Sequence, residues 1–383
     1  MQEALPHCQA LNLISDFDFG VAVPGGCEKF VKAAQVAEQL GCTLISCDLE
    51  KAFNNLLRKD IWDAVRYINC PTLTSWFCFF YHHSPRVHFA ADPLSPFNIN
   101  NTVCYTLEEG VAQGDPLSSL LFVVTLAHIL MEHRRCYPEA IRTTVIDDVC
   151  FAFAPEHSHL VPAALRDFDS CLHKHNLSLN QAKTTIYCSD RFSFHTSHPF
   201  PYSLSNDGFS VCRVSVGSDK FCAGDAGAYC RKIADAEKTF TRLHRALHIS
   251  KTRGRGLIFV DLLRVCFRSR YSWALRTLSP ILAGRVAVAA DDALTRLLAL
   301  VLPRHQSLTL PDEWLHLNRI HNIKLSLPLI KGGLGLRPWL SLLHITHFAS
   351  PHSSTCITSW THPTSCHLQR HWKRCRLLYS SLS

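Results

Sequence analysis

The sequence predicts an α+β protein, an antiparallel sheet backed by helices and followed by a helical region. Three stretches carry that expectation. Residues 43–47 (TLISC) form an apolar run that reads as a strand and ends at Asp48. Residues 143–153 (TTVIDDVCFAF) alternate around an Asp-Asp turn, the pattern of a β-hairpin. Beyond about residue 225, apolar residues recur at helical spacing among arginines.

In chain order, the first 42 residues are a short lead with a Pro-Gly-Gly break at 24–26, then a helix over 28–40. The strand 43–47 is followed by a helix running through Arg66, and 89–101, rich in Pro and Asn, reads as a loop. Pro116 suits the first turn of a second helix. After the hairpin come a helix over 162–175 and a returning strand over 177–188. Three amphipathic helices are expected over 226–248, 256–278 and 285–302. After Trp339 the text is rich in Ser, Thr, His and Cys without periodicity, so a loosely ordered tail is expected. The organisation is therefore 1–205, 206–345 and 346–383, with no internal repeat.

Composition narrows the class. With 47 % hydrophobic and 18 % charged residues, the 383-residue chain buries a substantial core and is not disordered. Its formal charge of +8 suits a polyanionic partner such as nucleic acid, and equally an ordinary basic protein. The 18 cysteines, among them Cys42, Cys47, Cys70, Cys78, Cys104 and Cys150, are scattered through apolar runs without framework spacing. They are expected to be reduced and mostly buried, which implies a reducing intracellular compartment. The longest apolar run, 117–131, contains Ser118, Ser119, Thr125 and His128 and is too short and polar to span a bilayer, so no membrane association is expected. No signal for an oligomeric state is present.

The chemistry lies in three carboxylates, Asp48, Asp147 and Asp148, with EEGVAQGDPLSSLLF between them. A strand ending in Asp and a hairpin turn carrying two more can gather all three at one sheet edge. Hard divalent cations need such oxygen ligands, and two of them can clamp both ends of a phosphoryl displacement. Each signal alone has a plainer reading: Asp-Asp as a turn, Asp48 as a helix cap, and Gln113-Gly114-Asp115-Pro116 as a turn opening a helix. Their order and spacing are what point to polymerase chemistry.

At this point the chain resembles the reverse-transcriptase domain of non-LTR (LINE-like) retrotransposons over roughly residues 21–339. The resemblance is carried by VAVPGGCEKFVKAAQ, LISCDLEKAFNNLLR, EEGVAQGDPLSSLLF, VIDDV, LSLNQAKT and RVSVGSDK, and continues in RYSWALRTLSP, DDALTRLL and LPLIKGGLGL. It implies a right-hand polymerase fold with palm, partial fingers and helical thumb. The implied function is RNA-directed DNA synthesis from deoxynucleoside triphosphates on an RNA template and a DNA primer or target, with two Mg²⁺ ions (Mn²⁺ possible). A maturase-like or telomerase-like enzyme is the near alternative. A nucleic-acid-binding remnant without catalysis is the alternative from another class.

Carried over by motif, Asp48 and Asp147 would hold the metals with the Leu49 carbonyl, and Asp148 would complete the acidic cluster. Phe53 would be an aromatic gate beneath the sugar, excluding a 2′-hydroxyl; by itself it reads equally as a core residue. Gln113 and Gly114 would lie against the nascent pair. Lys183 would assist the pyrophosphate leaving group, although it also reads as a surface lysine. Val145, Val216 and Gly217 would position the primer. Arg58 matches a basic residue common after the first Asp. Val145 stands where the family usually has Tyr or Phe, and the basic finger residues that grip the triphosphate have no counterpart in the 47 residues before Asp48. The resemblance thus describes an amino-terminally truncated domain without an endonuclease.

Other motifs are set aside. Asp18-Phe19-Gly20 spells a kinase metal motif, but no glycine-rich phosphate loop or His-Arg-Asp accompanies it. Cys356, Cys366, His371 and Cys375 loosely follow a zinc knuckle, with a first gap too long for one. His82, His83, His157 and His159 read as surface residues. Nuclear residence would follow only from the implied role, with the cytoplasm as the alternative.

Overall fold

The computed structural model of the protein describes residues 3–11, 13, 18–81, 83, 86–90, 102–115, 117–188, 201–250, 254–301, 336, 338–340 and 342–343. Most of the 89–101 loop, His82, Arg253, and the tail with its Cys356, Cys366, His371 and Cys375 lie outside these residues. The helices are α1 (Ala4–Ala10), α2 (Gly26–Gln39), α3 (Ala52–Asn55), α4 (Arg58–Ile68), α5 (Pro71–Tyr81), α6 (Ser118–Ile129), α7 (Met131–Cys136), α8 (Val161–His173), α9 (Asp219–Ile249), α10 (Arg255–Leu262), α11 (Ser272–Thr277) and α12 (Pro280–Leu298). The strands are β1 (Thr43–Cys47), β2 (Arg86–Ala90), β3 (Thr102–Thr106), β4 (Ile141–Val145), β5 (Asp148–Phe153), β6 (Thr185–Tyr187), β7 (Ser203–Ser205), β8 (Gly208–Val211) and β9 (Val214–Gly217).

β1 and β5 are buried at almost every position because both faces of their sheet are covered. The sheet has the order β4-β5-β1-β6-β7. β4/β5, β5/β1 and β1/β6 pair antiparallel. The β6/β7 edge pairs parallel, a departure from the all-antiparallel sheet expected from sequence. Side-chain alternation then divides the interior. Ile45, Cys47, Val149, Phe151 and Phe153 enter one core, with Ile61, Val65, Phe122, Leu165 and Phe168. Leu44, Cys150 and Ala152 enter the other, with Phe30, Ala33, Ala34 and Ala37 of α2 and the buried side chains of α9 and α12. That second core crosses the expected division at 205. The fold is the right-hand polymerase architecture, a sheet-based palm joined to a helical thumb.

The strand over 43–47 forms where the sequence places it. The helix expected through Arg66 is broken, because Leu56 and Leu57 are extended. The Phe53 and Leu56 carbonyls accept the Val111 and Gly110 N–H groups of the QGDP segment, so tertiary bonds replace helical ones. The returning strand shrinks to a Leu49–Leu179 bridge and β6. The first thumb helix begins earlier than expected, at Asp219, where the Ser218 side chain accepts the Phe221 N–H as an N-cap. The second breaks into α10, a π-helical turn at Leu263–Phe267, a 3₁₀ turn at Arg268–Tyr271 and α11. α5 has no counterpart in the sequence reading.

α6 carries the longest apolar run, and residues 120–127 are all buried in the first core. Among the described residues no helix is long and apolar enough to cross a membrane. The described cysteines are free thiols; Cys42, Cys47, Cys70 and Cys150 are buried as expected, whereas Cys78 is exposed on α5. His83 and His159 are exposed, and His157 is half-buried.

Candidate active site at the sheet edge

The register of the sheet decides where the acids go. Cys47 is opposite Val149, so Asp48 follows β1 beside the start of β5, where Asp148 pairs with Val145 across the hairpin. Two residues, Ile146 and Asp147, make the turn. Ile146 has φ +59°, a conformation that a β-branched side chain resists. Such a residue stores on the order of 1–3 kcal/mol and persists only where its surroundings impose it.

The three carboxylates share this edge, and two of them have a side-chain partner. Asp147 is exposed. Asp48 faces the Lys183 ammonium at 3.3 Å, while its backbone carbonyl accepts the Asn180 N–H at 2.8 Å. Asp148 accepts the Cys212 thiol at 3.6 Å. Burial lifts the Asp148 carboxyl above its usual range; the charges of Asp147 and Asp48 add to the rise, and the Cys212 hydrogen bond offsets part of it. Among the described residues no three His, Cys, Asp or Glu side chains are grouped to hold a metal ion. The donors themselves, carboxylates beside a backbone carbonyl, are of the kind that hard divalent cations take. The Leu49–Leu179 bridge uses the Asp48 and Ser178 carbonyls, so the Leu49 carbonyl takes no part in it.

The remaining sequence candidates fall around this edge. Phe53 is half-buried and stacked on Phe122, ring centroids 4.8 Å apart and 10° from parallel, so its plane is held. Gln113 and Gly114 are exposed, and a Cβ built on Gly114 would meet nothing within 4 Å. Their loop is locked from below by residues that the sequence reading did not single out. The Tyr81 hydroxyl donates to Asp115 at 2.7 Å and accepts the Ala112 N–H. Asp115 also accepts the Leu117 N–H at 3.1 Å and the Ser118 hydroxyl, bracing the turn before α6. The Asp-Pro before a helix signals that turn, but no local pattern connects Tyr81 to it. Arg58 donates to the Leu107 and Gly110 carbonyls and lies over the Tyr81 ring, which makes it a structural tie.

Val145 and Val216 are buried side chains of the second core. Gly217 lies opposite Gly208 in the β8–β9 hairpin, where a Cβ would come 2.4 Å from the Asp207 carbonyl oxygen. The tip of that hairpin, Cys212-Arg213, has positive φ at both residues (46° and 64°), the geometry of a two-residue turn normally given to Asn or Gly. This tip delivers the Cys212 thiol to Asp148. Beside it opens a cleft of roughly 390 Å³ lined by Arg213, Lys232, Arg270, Tyr229 and Trp273. Among the other thumb arginines, Arg242, Arg245 and Arg255 are exposed, Arg264 pairs with Asp261, and Arg268 lies over the Trp339 ring.

The sequence model of the family described as "Reverse transcriptase (RNA-dependent DNA polymerase)" matches residues 1–210, more than half of the chain. No curated protein matches the sequence. Solved structures similar to the chain include a telomerase from Candida albicans in complex with a TWJ fragment of telomeric RNA. Against it, TM-score is 0.40 and identity 9 %, covering 82 % of this chain and 55 % of that one. An apo telomerase from Candida tropicalis gives a TM-score of 0.40 and 11 % identity, covering 95 % of this chain and 59 % of that one. The chain thus spans little more than half the length of these structures.

Proposed function

The chain belongs to the reverse transcriptase (RNA-dependent DNA polymerase) family, and from that premise we propose that it is the polymerase region of a non-LTR retrotransposon. In this reading it extends a DNA primer 3′ end with deoxynucleotides templated by RNA, through two-metal nucleotidyl transfer. The observation that carries the reading is the register that brings Asp48, Asp147 and Asp148 to adjacent strand ends with coupled charges.

Asp48, Asp147 and the Leu49 carbonyl would hold Mg²⁺, or Mn²⁺ in its place, which when bound activates the primer hydroxyl and neutralises phosphate charge. The chain's own groups supply the positioning on which such a transfer depends. Phe53, fixed by its stack on Phe122, fills the space a ribose 2′-hydroxyl would need. Exposed Gln113 and Gly114 offer an amide side chain and an open backbone surface to the nascent pair. Lys183, within reach of Asp48, meets the departing pyrophosphate with a cation. Val145, Val216 and Gly217 act on the primer through the backbone they shape, because the valine side chains are buried. The cations and rings of the cleft beside Cys212 suit a phosphodiester strand and its bases. The action is intracellular, with the nucleus inferred from the role.

The test is primer extension on an RNA template with Mg²⁺ or Mn²⁺. Asp147→Asn is expected to lower the rate roughly a thousand-fold, about 4 kcal/mol of transition-state stabilisation. Undiminished extension by Asp147→Asn removes that residue from the mechanism. Wild-type chain that binds primer–template without extending it is instead a binding remnant.

A further inference from the structure

We propose that Asp18-Phe19-Gly20 is a positioning strap for the turn that carries Asp147. The inference rests on the role given to Asp147 above and deepens it. The kinase-like spelling of these residues has no kinase around it; their place in the fold supplies a different use.

The strap lies along the end of β4. Asp18 bridges Thr144 in parallel, and the Phe19 N–H donates to the Thr144 carbonyl at 2.8 Å. The Thr144 hydroxyl donates back to the Asp18 carboxylate at 2.6 Å. Asp18 is only 3 % exposed, and its second oxygen faces Arg134 at 3.6 Å. Buried Arg142, one strand position before Thr143, also feels the Asp18 charge. Phe19 is buried in the second core, which anchors the strap between its two polar ends.

Gly20 then presses on the turn itself. A Cβ at this position would lie 2.5 Å from the Ile146 backbone nitrogen and 3.2 Å from its Cγ1, so Ile146 would have to move. Ile146 is the residue held at φ +59°, and Asp147 follows it directly. The strap therefore grips residues 144 and 146 from one side. A main-chain bond, a buried hydroxyl–carboxylate bond and a close backbone approach together impose the conformation that Ile146 would otherwise leave. None of the three strap residues touches a reacting group; they act through the direction in which Asp147 points.

The experiment uses the full chain and its Gly20→Ala, Thr144→Val and Thr144→Ser variants. Mn²⁺ alone is the probe, its free concentration read by electron paramagnetic resonance, with thermal melting as the fold check. Supporting groups behind metal ligands are worth about ten- to a hundredfold in affinity. Gly20→Ala and Thr144→Val are expected to weaken Mn²⁺ binding about tenfold, beyond any loss in the Phe240→Leu control at a matched fall in melting temperature, and Thr144→Ser to restore it. In extension assays the same two variants raise the half-saturating Mg²⁺ concentration and lower kcat while the deoxynucleotide KM holds. Phe240→Leu, in the thumb core, is the control for general loosening. Equal loss of Mn²⁺ affinity in that control, wild-type affinity in both strap variants, or no Mn²⁺ binding by the wild type overturns the proposal. Wild-type Mn²⁺ binding without extension sinks the polymerase reading alone, and the strap is still decided by the Mn²⁺ affinities.

Discussion

The two faces of the five-stranded sheet are packed by opposite means. One presents large side chains, Phe151 and Phe153, to the largely apolar α6 and to Phe168 of α8. The other presents Leu44, Cys150 and Ala152 to a helix whose buried side sets Ala33, Ala34 and Ala37 beside Phe30 and Val31. Large against large fills volume, whereas the alanines of α2 facing Cys150 and Ala152 let backbones approach there. The face with the alanines carries α2, the strap and the thumb, so the elements that touch the Asp147 turn lie on the side with least room for error.

Truncating the large face breaks the comparison most severely. Phe153→Ala, at a fully buried position, is expected to cost about 3–5 kcal/mol, read from urea denaturation midpoints. Overfilling the small face comes next. Ala34→Leu is expected to cost about 1–3 kcal/mol, and also to lower Mn²⁺ affinity by displacing α2. Cys150→Ala deletes one buried atom and is expected to cost about 1 kcal/mol, with little change at the site. If Phe153→Ala and Ala34→Leu disturb metal affinity equally at matched stability, the two faces do not differ in their hold on the turn.

The smallest effects are in pH. His133, in contact with Phe151 and Phe168, is buried and held below its ordinary value, because the interior disfavours its charge and Arg142 adds repulsion. Its contribution is complete above about pH 6.5 and is lost as pH falls below that. Asp291, under the Trp339 and Leu340 N–H groups, is lifted above the ordinary range by burial. Its ionised form costs stability, so acidification through its folded value returns some. Denaturation midpoints across this range should therefore show a shallower acid loss in His133→Asn and a steeper one in Asp291→Asn. Parallel profiles for all three proteins would show that neither group carries the dependence.

Much of the site was legible because it is written in local text. TLISC became β1 at its predicted limits; the hairpin formed, but its turn is Ile146-Asp147 rather than Asp-Asp, and Asp148 pairs with Val145 as the first residue of β5. The Gln113-Gly114-Asp115-Pro116 segment could be read as a turn opening a helix, and α6 follows it. What escaped was whatever depends on distant partners. The helix after Asp48 breaks because Gly110 and Val111 bond to it from more than 50 residues away. Tyr81 supports the 112–118 turn through atoms that no local window contains. α5 escaped for a different reason: TLTSWFCFFY has no clear polar stripe, and period is the signal by which a helix is read.

The chain text by itself determined the inventory: which acids end which strands, which segments alternate and which recur at helical spacing. Those follow from side-chain period and turn chemistry, which act over a few residues. Only the tertiary structure decided that Asp18-Phe19-Gly20 lies against Ile146, that Cys212 reaches Asp148, and that one core joins palm to thumb. Those contacts link residues tens to hundreds of positions apart, where the outcome belongs to packing and to the pairing of buried polar groups. No local rule encodes either.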